Sequence, residues 1–224
     1  MIFLYNLASY EELCIMPRLK KPIDYVNVLR LNSKREKREL GETLHEQYQQ
    51  WTRSLLLKDL LSFIQTIQEG KDQVGAAQLF GKFRAYSLEE FVYRLIQARV
   101  SLSEPLGVYW GEKCLLWRGS GREYGMEVDV LIGKKLDGFV QPMVAVDAKV
   151  ELDASRLKTT LASFLLLKRC HPYAKCFLVF VIEEVDPPLL RLTEPWIDRF
   201  YRFSAERDET AAFVESVQAA VKQF

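Results

Sequence analysis

In the valine-rich stretch VDVLIGKKLDGFVQPMVAVDAKV, residues 128 to 150, charges stand inside two apparent strands at Asp129, Asp147 and Lys149. Burying an unpartnered charge is costly, so these groups face either water or one another. Side chains two apart on a strand share a face, with Cα atoms about 6.6 Å apart. Asp147 and Lys149 therefore point one way, and Val144, Val146, Ala148 and Val150 the other. On the preceding strand Val128, Val130 and Ile132 form the apolar face, opposite Asp129 and Leu131. Pairing of the two strands around the Asp137-Gly138 turn brings Asp129 beside Asp147. Two converging carboxylates repel, and each has a raised pKa unless a cation lies between them. Oxygen-only ligands suit a hard ion such as Mg²⁺. Removing Asp147 is expected to relieve the repulsion.

The elements that must hold these residues can be read from periodicity. From about Ser33 to Glu69, apolar residues at spacings of three and four (Leu40, Leu44, Tyr48, Trp51, Leu55) predict one helix, or two end to end, stopped by Gly70. In YSLEEFVYRLIQARV, Ser87 reads as an N-cap with Glu90 completing a capping box, and Leu88, Phe91, Val92, Leu95 and Ile96 form the apolar stripe. GVYWGEKCLLWRG, MEVDVLIG and PMVAVDAKV are short, β-rich and separated by glycine turns, which predicts three antiparallel strands. Asp153 caps a helix through SRLKTTLASFLLLKRC, and CFLVFVIEE reads as a strand covered on both faces. Pro187, Pro188 and Pro195 break the remaining chain into turns before a last helix from about Glu209 to Lys222. The fold class is α/β with one mixed central sheet.

Asp129, a seventeen-residue gap across a hairpin, and then Asp147-Ala148-Lys149 resemble the PD-(D/E)xK motif of restriction-endonuclease-like nucleases. The order helix, three strands, helix, strand over roughly residues 85 to 183 is similar to that family's αβββαβ core, a mixed central sheet flanked by helices. Leu88-Glu89, followed by Val92, Leu95 and Ile96, matches the further acid that the family often carries on its first core helix. The chain departs from the motif at Val128, where proline would stand, and has Asp as its second acid. Nothing in residues 1–80 resembles that family; periodicity makes them a helical N-terminal region, which on the nuclease reading would help to choose or grip substrate or serve an interaction, while the resemblance implies a nuclease-like domain at 81–224. It implies Mg²⁺ or Mn²⁺ held by Asp129, Asp147, the Ala148 carbonyl and Glu89, with Lys149 near the attacking water. It also implies metal-dependent hydrolysis of DNA phosphodiester bonds, in restriction, repair or mobile-element use. Glu151 is then a rim residue.

Composition neither demands nor excludes this. With 31 Lys and Arg against 30 Asp and Glu, net charge is only +1. Nucleic-acid contact would fall to local clusters: Arg18, Lys20 and Lys21; KREKR at 34 to 38; Lys134 and Lys135; and Arg156, Lys158, Lys168 and Arg169. KREKR reads as a solvated helix face. Gly119-Ser120-Gly121-Arg122 is a glycine-rich turn that offers Arg122 to a phosphate. The DNA-contact set is Arg122, Lys134, Lys135, Arg156 and Lys158. Four cysteines without CxxC spacing argue against zinc or a disulfide framework and fit a reducing cytoplasm. MIFLYNLASYEELCIM has no basic start and soon turns acidic, so neither a signal peptide nor a membrane span is expected. His45 and His171 receive no role, and Trp51, Trp110 and Trp117 read as core. A homodimer is compatible with this reading. The competing readings are a non-catalytic nucleic-acid or protein-binding module on the same fold, and an unrelated α/β enzyme using a Lys and Asp pair.

Overall fold

The computed structural model describes residues 21–222. The basic residues Arg18 and Lys20, the cysteine Cys14 and the MIFLYNLASYEELCIM segment lie outside the described residues.

Four helices lead to the sheet: α1 (Pro22–Arg30), α2 (Arg35–Ser54), α3 (Leu57–Glu69) and the single turn α4 (Lys71–Val74). The 33–69 segment is two helices, because Leu55 takes a left-handed φ of 49° and ends α2. The chain reverses there, so that Gln47 Nε2 donates to Thr66 Oγ1 at 2.9 Å and Gln50 Nε2 to Asp59 Oδ1 at 3.0 Å across an antiparallel helical hairpin. Gly70 ends α3, as its sequence signal predicts.

α5 (Ala77–Arg99) begins ten residues before the expected cap at Ser87. Ser87 lies in the helix interior, buried, its hydroxyl donating to the Phe83 carbonyl at 2.7 Å. Glu90 does not cap either: its Oε1 accepts from Tyr48 Oη at 2.9 Å and Arg94 Nε at 2.7 Å. A Ser with an acid three residues later starts a helix only where the preceding chain cannot continue one, and AQLFGKFRAY continues it well. The division between residues 80 and 81 falls inside this helix.

Five strands come next, β1 (Gly107–Gly119), β2 (Arg122–Leu136), β3 (Phe139–Leu152), β4 (Lys175–Glu183) and β5 (Arg199–Arg202), with α6 (Ala154–Cys170), α7 (Pro187–Thr193) and α8 (Thr210–Val221) between and after them. They form one sheet in the order β1-β2-β3-β4-β5. The first three are antiparallel neighbours, and β3, β4 and β5 run parallel. The fold is thus mixed α/β. β5 and α7 occupy the segment expected to hold only turns; a four-residue strand between a proline-led helix and a loop leaves little periodicity to read. Asp153 caps α6 through its Oδ1, which accepts the Arg156 N–H at 2.8 Å.

Each sheet face has its own core. Val130, Ile132, Val144, Val146 and Val179 face α1, α2, α3, α5 and α8, while Leu131, Ala145 and Leu178 face α6. Val128 departs from the expected alternation and packs with Cys114 and Leu131 on the α6 side. On that side Cys114 of the long β1–β2 hairpin also pairs with Val140 of β3. A bend centres on Gly133, where the β2–β3 register shifts opposite Pro142. A Cβ there would sit 2.0 Å from the Gln141 carbonyl oxygen. Gly133→Ala should therefore cost about 1–3 kcal/mol, since backbone rather than a flexible side chain must yield. Urea unfolding checks this, and a midpoint within error of the parent would mean that the bend tolerates a side chain.

Candidate active site

β2 and β3 pair from Leu136 and Phe139 at the turn down to Val130 and Val146, and there they part. Beyond that point β2 stays with β1 through Val128 and Glu127, and β3 stays with β4 from Asp147 to Leu152. The sheet is forked, and Asp129 and Asp147 are the first residues on its two arms. Asp129 supplies the missing rung itself, its Oδ2 accepting the Ala148 N–H at 2.8 Å.

Lys149 stands between the aspartates. Its Nζ donates to Asp129 Oδ2 at 3.3 Å and also to Asp147 Oδ1. Asp147 Oδ2 accepts the hydroxyl of Thr160, which reaches in from α6. From the opposite helix layer α5 brings Glu89, 8% exposed, whose Oε2 accepts the Trp110 indole N–H at 3.0 Å. The structure thus brings Asp129, Asp147, Ala148 and Lys149 into hydrogen-bond contact, with Glu89 close enough to respond to the Asp147 and Lys149 charges. Glu151, on the same strand face, pairs with Arg84 at 2.7 Å and Arg156 at 3.3 Å.

The charges are unequal in their comfort. Burial pushes the Asp129 carboxyl well above its ordinary range, with the Asp147 and Glu89 charges adding to the effect. Burial also raises Glu89, to about 7, against the Trp110 hydrogen bond and the Lys149 charge. For Asp147 burial is outweighed by the Lys149 ammonium and by hydrogen bonds from Asp129, Lys149 and Thr160, so its pKa is lowered. Lys149 is raised: burial works against its charge, but Asp129, Asp147 and Glu89 more than compensate. The strain expected to be relieved by removing Asp147 therefore resides in Asp129, and removing Asp147 would strip Lys149 and Thr160 of their partner.

As a donor set, three carboxyls against one ammonium carry a formal charge of −2 when all are ionised, which one divalent cation would cancel. Among the described residues no three acidic, histidine or cysteine groups stand in metal-holding geometry. The cation shared by Asp129 and Asp147 is the Lys149 ammonium.

Thr160 and Trp110 were not singled out for the site by sequence. Thr160 left a signal, being the polar member of the buried stripe Leu157, Thr160, Phe164 and Leu167 of α6. Trp110 left none, because its aim depends on the β1–β2 register. Of the DNA-contact set, Lys135 is paired with Glu112 at 3.1 Å and Arg156 with Asp153 at 2.9 Å. Arg122, Lys134 and Lys158 are exposed and have no ion-pair partner among the described residues. His171 lies elsewhere, its Nε2 2.7 Å from the Leu115 carbonyl oxygen, and His45 is 2.8 Å from Gln49.

No protein-family model matches the chain, and no curated protein does. Among solved structures it is similar to the native BbvCI A2B2 tetramer at 14% identity and a TM-score of 0.47, over 99% of this chain and 95% of that one. Among the described residues no helix is long and apolar enough to cross a membrane.

The raised Glu89 pKa has a sign. Its folded value lies above its ordinary one, so the folded state binds the proton more tightly, and that stabilisation is lost as pH rises from about 4.5 to about 7. The protein should lose stability across this window, and Glu89→Gln should reduce the slope by up to about 1.4 kcal/mol per pH unit. Denaturant midpoints at successive pH values read it directly; equal slopes in parent and variant would refute the shifted ionisation.

Proposed function

We propose that the chain is a metal-dependent DNA endonuclease hydrolysing phosphodiester bonds with Mg²⁺ or Mn²⁺, on a restriction-endonuclease-like core. The observation that carries this reading is the shared cation position of Asp129 and Asp147 at the fork between β2 and β3, with Glu89 alongside. The order α5, β1, β2, β3, α6, β4 also supports it.

In this reading Asp129, Asp147, the Ala148 carbonyl and Glu89 hold the metal. The ion, when bound, would supply positive charge to the phosphate and lower the pKa of a coordinated water. Asp147 is already ionised for this role, whereas Asp129 and Glu89 give up protons more readily once a cation replaces the ammonium. With an ion there, Lys149, on its flexible stem, would keep its charge at the edge of the site. Because its neighbours make it hold its proton more tightly, it is a poor base, which favours stabilising phosphate charge and orienting water. Of the DNA-contact set, Arg122, Lys134 and Lys158, without ion-pair partners among the described residues, would meet the DNA backbone, with DNA the proposed partner.

Incubation with plasmid and branched DNA, with and without Mg²⁺ or Mn²⁺, tests the reading; no cleavage with either ion would leave the non-catalytic binding module. Asp147→Ala should abolish cleavage, and a variant that cuts at the parent rate would remove Asp147 from the metal site. Asp129→Asn should do the same while raising the stability of the metal-free protein by about 1 kcal/mol, because the amide oxygen still accepts the Ala148 N–H without the cost of ionising in place. Lys149→Ala should lower the single-turnover rate about 10² to 10⁴-fold with DNA affinity largely retained. Equal loss of binding and cleavage would make Lys149 a backbone contact.

A further inference from the structure

Outside the carboxyl ends of the parallel strands β3, β4 and β5 lies a cleft of about 580 Å³. Crevices at that end of parallel strands are where open α/β sheets bind ligands, and the volume falls in the usual range for small-molecule sites. Its apolar wall is Leu61 and Ile64 of α3 with Val150 and Val181. Its polar wall is Arg84, Arg202, Glu151, Glu183 and Glu206, with the Gln68 amide at the mouth. The cleft adjoins the carboxylate site on two elements: Glu151 follows Lys149 by two residues on β3, and Arg84 precedes Glu89 by five on α5.

The guanidinium groups are only partly engaged: Arg202 Nη1 stands 3.8 Å from Glu183, and Arg84 lies over the Phe80 ring, 5.1 Å from its centre. Arg84 is 7% exposed and gives Nη2 to Glu151, yet its Nε has no partner among the described residues, and the same holds for the buried Nε of Arg202. A buried donor left unpaired is costly, so both guanidinium groups retain hydrogen-bonding capacity that the protein leaves unused. Two arginines against three glutamates give the wall a formal charge of −1, which disfavours a phosphate. A nucleobase fits better: it is flat and neutral, its exocyclic amino groups donate to carboxylates, and its ring nitrogens and carbonyls accept from guanidinium and amide groups.

We infer that this cleft takes one nucleobase turned out of the stack, from the strand whose phosphate lies at Asp129, Asp147 and Lys149; this rests on the nuclease reading. Extruding a base costs a few kcal/mol, which the apolar wall and the paired edges would offset. The cleft would then select which base may flank the cut.

The test uses duplexes carrying 2-aminopurine at successive positions, bound in Ca²⁺, beside a cleavage assay in Mg²⁺ or Mn²⁺. The parent should show a severalfold rise in 2-aminopurine emission at one position. The rise should vanish in Gln68→Leu/Ala205→Leu, which narrows the mouth at two exposed positions, and in Arg202→Gln, which removes a donor. A parent that cuts DNA with no rise at any position overturns the base pocket and leaves the nuclease reading standing. A rise that persists in both variants also overturns it. A rise lost in both variants, without cleavage, supports the pocket and overturns the nuclease. Absence of DNA binding overturns both.

Discussion

Two carboxylates and one ammonium at the point where β2 and β3 part form the constraint on which the rest of the arrangement turns. Strand pairing would normally bury Asp129 against a backbone neighbour, but the ladder stops at Val130 and Val146, and the Asp129 carboxylate takes over the Ala148 N–H. A side chain that completes a sheet by hydrogen bonding is fixed in position, which is what a charged reacting group needs. Burial at that position, with the Asp147 and Glu89 charges beside it, makes Asp129 hard to ionise. The site is therefore poised: stable with an internal cation, and still short of positive charge once all its carboxyls lose their protons.

Both helix layers converge on this fork. α6 contributes Thr160 to Asp147, and its Asp153 cap sets where that helix begins relative to β3. α5 contributes Glu89, and its next residue, Glu90, bonds Tyr48 of the N-terminal helical hairpin. Tyr48 in turn packs edge-on against Trp51, 5.2 Å between ring centres, within an aromatic chain that reaches Phe63 and Phe83. The N-terminal helices thus bear on the placement of Glu89 through packing, whatever they contribute to substrate contact. One core cluster runs from Tyr25 through Phe91 to Phe213, so a disturbance in α1 to α3 would be felt at the acid on α5.

The elements that could be read in advance are those whose signals are local. The Asp137-Gly138 turn is one: both residues adopt positive φ, 49° and 82°, as a two-residue hairpin loop demands. The Asp153 cap and the doubly covered β4 are others. The parity of β3 was legible because Val144, Val146, Ala148 and Val150 alternate cleanly with Ala145, Asp147 and Lys149. What failed depended on tertiary context. Ser87 and Glu90 carry a capping pattern, but α5 runs through them because the preceding turns are buried at Phe80 and Phe83 and held by packing. Val128 fits the alternation of its neighbours in sequence yet packs on the other face with Cys114, which pairs with Val140, distant in sequence. Trp110 and Thr160 reach the carboxylates only through register and helix docking, which no spacing encodes.

The polarity of the site is set by where its protons sit. Asp147 has the ammonium, a hydroxyl and the Asp129 carboxyl as donors, and it stays charged. Asp129 is pushed towards its protonated form by burial and by two acidic neighbours, against the same ammonium at a longer reach. Any ligand that brings positive charge between them gains first from Asp147, which needs no deprotonation, and then draws the proton from Asp129. Affinity for such a ligand must climb with pH as Asp129 and Glu89 ionise, while Lys149, more basic than usual, stays cationic throughout. An anion arriving with that ligand would meet an ammonium released from both aspartates, so the charge that holds the site together would become available to the anion.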